Sequence, residues 1–69
     1  MKIILSNHAK KRINQRGISE IEVQYILKHP IYVKKCFEGK KEAVGQIKNR
    51  DVKVVYIEKE NYIKVITLL

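Results

Sequence analysis

Two kinds of hydrophobic spacing divide the chain at Pro30. Before it, Ala9 and Ile13, and then Val23, Ile26 and Leu27, recur every three or four positions, the period of an α-helix with one buried stripe. Ser6 or Asn7 can cap a first helix that runs through Ala9, Ile13 and Gln15, and Gly17 supplies the left-handed residue that commonly ends one. The second helix is announced by Ser19-Glu20-Ile21-Glu22, a capping box, with Ile18 and Val23 placed as a hydrophobic staple; it stops at His29-Pro30.

After Pro30 the apolar residues become β-branched and aromatic, and turn residues interrupt them at short intervals. Ile31 to Glu38, Ala43 to Lys48, Val52 to Glu58 and Tyr62 to Leu68 read as four strands, joined at Gly39-Lys40-Lys41, Asn49-Arg50-Asp51 and Lys59-Glu60-Asn61. These connections are too short for parallel crossovers, so the strands should form an antiparallel meander. The expected fold class is α+β: two N-terminal helices on one face of a four-stranded antiparallel sheet, in the order α-α-β-β-β-β. Lys2 to Leu5 can add an N-terminal edge strand.

Composition narrows this picture. The chain has 69 residues, 45% of them apolar and 32% charged, the balance of a soluble globular protein. One domain spanning residues 1–69 fits that length, and a multidomain enzyme does not. A chain this short buries only about 60% of its unfolded surface, so no bulky cofactor is expected inside it and a site must lie on the surface or in a shallow cleft. Cys36 has no partner for a disulfide, and no Cys/His cluster has zinc spacing, so no metal site is expected. The apolar run Ile3-Ile4-Leu5 is too short for a signal peptide or a membrane span, and a cytoplasmic location without membrane association is the expectation.

Charge changes the picture most. Fifteen Lys and Arg against seven Asp and Glu give a net charge of +8 and a pI near 9.8. A polyanionic partner follows, nucleic acid first, an acidic protein second and an anionic membrane surface third. The charge is uneven: residues 1–16 hold Lys2, Lys10, Lys11, Arg12 and Arg16 with no acid, whereas the second helix carries Glu20, Glu22 and only Lys28. His8, Arg12 and Arg16 stand at i, i+4 and i+8, a row with about 6 Å between successive members along the axis. Three such groups repel one another, and a passing polyanion would relieve the repulsion and meet a guanidinium bidentately. A solvated polar helix face has the same composition, so spacing alone leaves both readings open.

The stretch His8-x-x-x-Arg12-x-x-x-Arg16-Gly17-Ile18-Ser19, followed by an amphipathic helix, a β-meander and a closing Val65-Ile66-Thr67, resembles a family of short bacterial and archaeal proteins labelled as a domain of unknown function. That family is grouped with the RelE, ParE and BrnT-like toxins and with the barnase/colicin-type ribonuclease fold. The resemblance implies an RNA-binding, metal-independent endoribonuclease toxin with an acidic antitoxin partner, in which a helix-borne His and Arg face a hydroxyl on the sheet. Position by position, His8, Arg12 and Thr67 would be catalytic, with Arg16 matching as well. No glutamate stands at a matching place.

Elementary RNA chemistry agrees in part. Cleavage needs a base for the 2′-hydroxyl proton, an acid for the leaving oxygen and a cation for the phosphorane charge. His8, Arg12 or Arg16, and a hydroxyl cover most of these roles, while Tyr56, Tyr32 and Lys53 are candidates for the proton donor. Lys11, Arg16, Lys48 and Arg50 are the candidate RNA-binding residues, although a charged hairpin tip is ordinary for Lys48 and Arg50. His29 reads as a solvated helix end, Cys36 as a small core or edge residue, and the four tyrosines as core before base-stacking groups.

Two other readings compete. Arg16-Gly17-Ile18-Ser19 with Val23 and Leu27 resembles the turn and second helix of a DNA-binding helix-turn-helix, but its recognition helix would begin with Glu20 and Glu22, where phosphate contacts are made. A non-catalytic nucleic-acid-binding or interaction module with the same fold is the stronger alternative. A thin core also gives the domain a reason to gain stability from a partner or by pairing as a homodimer.

Overall fold

A computed structural model describes residues 2–69. Strand β1 (Lys2–Leu5) leads into helix α1 (Asn7–Arg16) and helix α2 (Glu20–Lys28), followed by β2 (Tyr32–Lys35), β3 (Lys40–Ile47), β4 (Arg50–Glu58) and β5 (Tyr62–Leu68). The four C-terminal strands form the expected antiparallel meander. β1 adds to it as a fifth strand, parallel to β5, giving a mixed sheet of order β1-β5-β4-β3-β2. Both helices lie on one face, so the class is α+β.

The helix ends follow the local chemistry. Ser6 caps α1, its hydroxyl accepting from the Ala9 amide at 3.0 Å, and Gly17 closes the helix at φ 66°. At α2 the capping box is complete: the Glu22 amide donates to the Ser19 hydroxyl at 3.2 Å, and the Ser19 amide donates to Glu22 Oε1 at 2.9 Å. That amide, aided by Lys48 and Arg50, holds the exposed Glu22 carboxyl below its ordinary value. A carboxyl lowered in this way contributes stability above the unfolded-state pKa, and the contribution is lost as pH falls through the folded value. Protection of the first-turn amides of α2, measured against the unfolded-chain exchange rate at each pH, should therefore hold through the ordinary Glu range and fall only below it; loss of protection at the usual Glu pKa would show that the box does not act on the carboxylate.

Two turns differ from the sequence reading. The strand expected to reach Glu38 stops at Lys35, because Phe37–Gly39 form a 3-10 turn in which Glu38 and Gly39 take φ 62° and 74°. Lys40 and Lys41, expected in that turn, are the first residues of β3. The next hairpin turns on Lys48 and Asn49, with φ 52° and 66°, and Ile47 pairs with Arg50. Two left-handed central residues make this a type I′ turn, whose twist matches the flanking strands. Arg50 is thereby moved out of the turn and into β4.

Alternation in this register separates the two faces. Ala43, Gly45 and Ile47 on β3, Val52 and Val54 on β4 and Val65 and Leu68 on β5 meet Ala9, Ile13, Ile18, Val23 and Ile26 in one buried cluster. A bulge at Ile66, between the pairs Val55–Thr67 and Tyr56–Val65, keeps both Val65 and Leu68 on the helix side. Thr67 consequently faces the open side.

Candidate nucleic-acid interface

The row on α1 is anchored to the edge of β5. β1 stops pairing at Leu5–Val65, which leaves the outer edge of β5 uncovered beyond that point. Two side chains of the α1 segment take over: the Ser6 hydroxyl donates to the Ile66 carbonyl at 2.7 Å, and Arg12 Nε donates to the Leu68 carbonyl at 3.1 Å. Leu69 exchanges both backbone hydrogen bonds with Lys53, so the Leu68 carbonyl points away from β4 and toward Arg12. Arg12 is half-buried and this is its hydrogen bond to protein. No buried side-chain polar atom among the described residues lacks a partner, so the terminal nitrogens of Arg12 reach solvent.

Thr67 comes to the same place from the other face. It does not point at α1, but its hydroxyl lies 3.4 Å from the Leu68 carbonyl, the atom that holds Arg12. The guanidinium and the hydroxyl thus meet at the rim of the sheet. His8 lies one turn before Arg12, exposed, at the second position of α1. Lys11 is also exposed on this helix.

The other basic candidates gather where α1 ends. Arg50 Nη2 donates to the Arg16 carbonyl at 3.0 Å, satisfying an orphan carbonyl of α1 with a cation at the negative end of the helix. Lys48 stands two residues away at the tip of the hairpin. Glu22 lies close enough for Lys48 and Arg50 to lower its pKa, so an acid stands beside these two cations. Lys48 occupies a left-handed position at a cost of about 1 kcal/mol relative to residues that tolerate it. Lys48→Asn is expected to raise stability by about that amount in urea denaturation and, if the hairpin tip contacts RNA, to weaken RNA binding in the same protein; stabilisation with unchanged binding would remove Lys48 from the interface.

The structure separates the three candidate proton donors. Tyr56 is buried on the helix side, and burial pushes its hydroxyl pKa up. Tyr32 lies on β2, at the opposite edge of the sheet. Lys53 alone shares both the face and the end of the sheet with Thr67, two residues from Val55, which pairs with it. Lys64 is exposed on the same face. Ser6 is legible in the sequence as a cap of α1, but its bond to the Ile66 carbonyl, the use of the Leu68 carbonyl and the Lys53–Lys64 flank are not, because all three depend on strand register.

An open groove of about 330 Å³ lies on the other flank of α1, lined by Leu5, Lys10, Ile13, Asn14, Ile18 and Glu20 among others, away from the His8–Arg12 row. Among the described residues no three His, Cys, Asp or Glu side chains come together as a metal site, and no helix is long and apolar enough to cross a membrane.

Comparison with curated proteins and with solved structures finds no match. The family model described as "Domain of unknown function (DUF4258)" matches residues 5–69, a span that takes in both helices, the meander and the closing Thr67. The chain belongs to that family.

Proposed function

We propose that this chain is an RNA-binding protein that cleaves RNA without a metal, of the kind found in toxin–antitoxin pairs and akin to the RelE, ParE and BrnT-like toxins. The observation that carries the reading is the meeting of Arg12 and Thr67 at the Leu68 carbonyl, one helical turn from His8. His8 takes the 2′-hydroxyl proton as that oxygen attacks phosphorus. The outward nitrogens of Arg12, with Arg16, hold the phosphorane charge, and Thr67 donates a hydrogen bond to a phosphate oxygen. The Lys53 ammonium gives its proton to the departing 5′-oxygen, leaving a 2′,3′-cyclic phosphate. Lys11, Lys48 and Arg50 bind the strand on either side. This reading brings with it a cytoplasmic location and an acidic antitoxin, which would cover the basic face.

A second reading rests on an observation of its own. Arg12 is held by a backbone carbonyl at the rim of the sheet, and the groove beside α1 lies on the opposite flank from the row, which suits a module that binds RNA without cutting it. Incubating the pure protein with RNA in EDTA distinguishes the two: product with a 2′,3′-cyclic end supports the enzyme, and binding without product at any pH supports the module. Both require affinity to fall steeply with salt, because each neutralised phosphate releases a counterion. Salt-independent binding would remove the basic face from either account.

A further inference from the structure

Apolar exposure in this molecule is concentrated on the side away from the RNA-facing row. Six of the eight exposed large hydrophobic residues fall between Ile21 and Phe37, on α2, β2, the segment joining them and the turn after β2, with Tyr25 55%, Ile31 63%, Tyr32 53% and Val33 45% exposed. All four residues of β2 are exposed, and β2 is the last strand of the sheet.

The free edge has a defined hydrogen-bonding pattern. The Cys36 amide donates to the Lys40 carbonyl at 2.8 Å, and two residues earlier in this ladder Lys34 stands opposite Glu42 in the same hydrogen-bonded phase. By alternation, the amide and carbonyl groups of Val33 and Lys35 point away from β3. Such an edge offers its unpaired groups to any extended chain.

Charge selects the occupant. Lys34 and Lys35 are exposed, and the ion pairs among the described residues are elsewhere, Lys41–Glu58 at 2.9 Å and Lys40–Glu38 at 4.0 Å. A second copy paired antiparallel on this edge would bring the lysines of both chains into one short ladder, which is destabilising. Tyr32 and Lys34 lie on one face of β2 and Val33 and Lys35 on the other, so an acidic strand with apolar residues between its charges can set its acids beside Lys34 and its apolar residues beside Val33, or its acids beside Lys35 and its apolar residues beside Tyr32. We propose that the outer edge of β2 receives an extended segment of a partner protein, in which glutamate or aspartate alternates with apolar residues, as a sixth strand. β2 lies across the sheet from β5 and α1, so this does not depend on the ribonuclease reading.

The test uses a fluorescein-labelled eight-residue peptide of alternating valine and glutamate, and its counterpart with lysine for glutamate. The full chain should bind the glutamate peptide and not the lysine one, and hydrogen exchange at the Val33 and Lys35 amides should slow on binding while Lys34, already paired to β3, is unaffected. Val33→Pro removes only an outward amide, leaves the pairing with β3 intact, and should lower affinity at least tenfold. If that variant fails to fold, Lys34→Glu/Lys35→Glu gives the answer by exchanging the preference to the lysine peptide. Absence of wild-type binding at millimolar peptide, or an unchanged preference in the charge-reversed protein, overturns the proposal. A dimer in sedimentation that Val33→Pro dissolves overturns it in favour of a second copy.

Discussion

Ile26→Ala is expected to remove about 2–5 kcal/mol of stability, the range for truncating a fully buried aliphatic side chain. A domain of this size has roughly 3–10 kcal/mol in total, so the variant should be largely unfolded in modest urea. Ile26 is, with Leu68, among the largest of the fully buried side chains and lies on Gly45 of β3. A Cβ placed at Gly45 would stand 2.9 Å from Ile26 Cγ1 and 3.2 Å from Cγ2. These branches spring from the atom next to the α2 backbone and cannot swing aside, so Gly45→Ala forces the helix from the sheet at about 1–3 kcal/mol. The two sites should therefore be coupled. In the Ile26→Ala background the nearest remaining neighbour is Ile26 Cβ at 3.4 Å, and the added methyl partly fills the cavity, so Gly45→Ala becomes neutral or stabilising. Ile26→Val keeps both Cγ branches and should give no relief. Urea midpoints of the wild type, the three single variants and the two double variants read this directly, and additive losses of Ile26→Ala and Gly45→Ala would show that α2 does not seat on Gly45.

The same contact marks where sequence reasoning succeeds and where it stops. Val23 and Ile26 were legible as a core stripe because helical period needs only neighbouring residues, and both capping sites are local in the same sense. Gly45, inside a strand run, carries no sign of what lies above it until β3 is placed under α2. The hairpin was found but shifted, since Lys48 is an unfavourable residue at a left-handed position and Asn49-Arg50-Asp51 is the more turn-like triplet. The Lys2–Leu5 strand was legible from its apolar run, but not its direction, which depends on α1 returning the chain along β5.

The site divides in the same way. The i, i+4, i+8 row of His8, Arg12 and Arg16 follows from helical geometry alone. That Arg12 is held by the Leu68 carbonyl, and that Thr67 reaches this carbonyl from the opposite face, depends on the Ile66 bulge and on β1 ending at Leu5. Residues 56 positions apart in the chain are joined there through one backbone oxygen, and no spacing rule contains that. Arg12 accordingly carries two duties, protecting the edge of β5 and presenting cationic N–H groups at the rim, and substitution at Arg12 alone cannot separate them.

His8 can. It is exposed and makes no side-chain hydrogen bond among the described residues, so His8→Ala should change stability by no more than about 0.5 kcal/mol. If His8 is the base, the same variant should lose about 10²–10⁴-fold in RNA cleavage, the usual contribution of a positioned general base, with RNA affinity nearly unchanged. Arg12→Ala should instead lower the urea midpoint, by the equivalent of about 1.5–3 kcal/mol for a charge-assisted hydrogen bond, and weaken RNA binding as well. Arg12→Lys retains the charge but not the planar fork that bonds Leu68 and offers further N–H groups to phosphate, so it should recover affinity more than cleavage. Measuring cleavage, affinity and urea midpoint on each variant separates the roles: a His8 effect on turnover alone beside an Arg12 effect on all three is the signature of an RNA-cleaving rim. Cleavage by His8→Ala at the wild-type rate would move the base elsewhere, and losses in both variants that follow only their stability would leave the row as the fastening of α1 to β5.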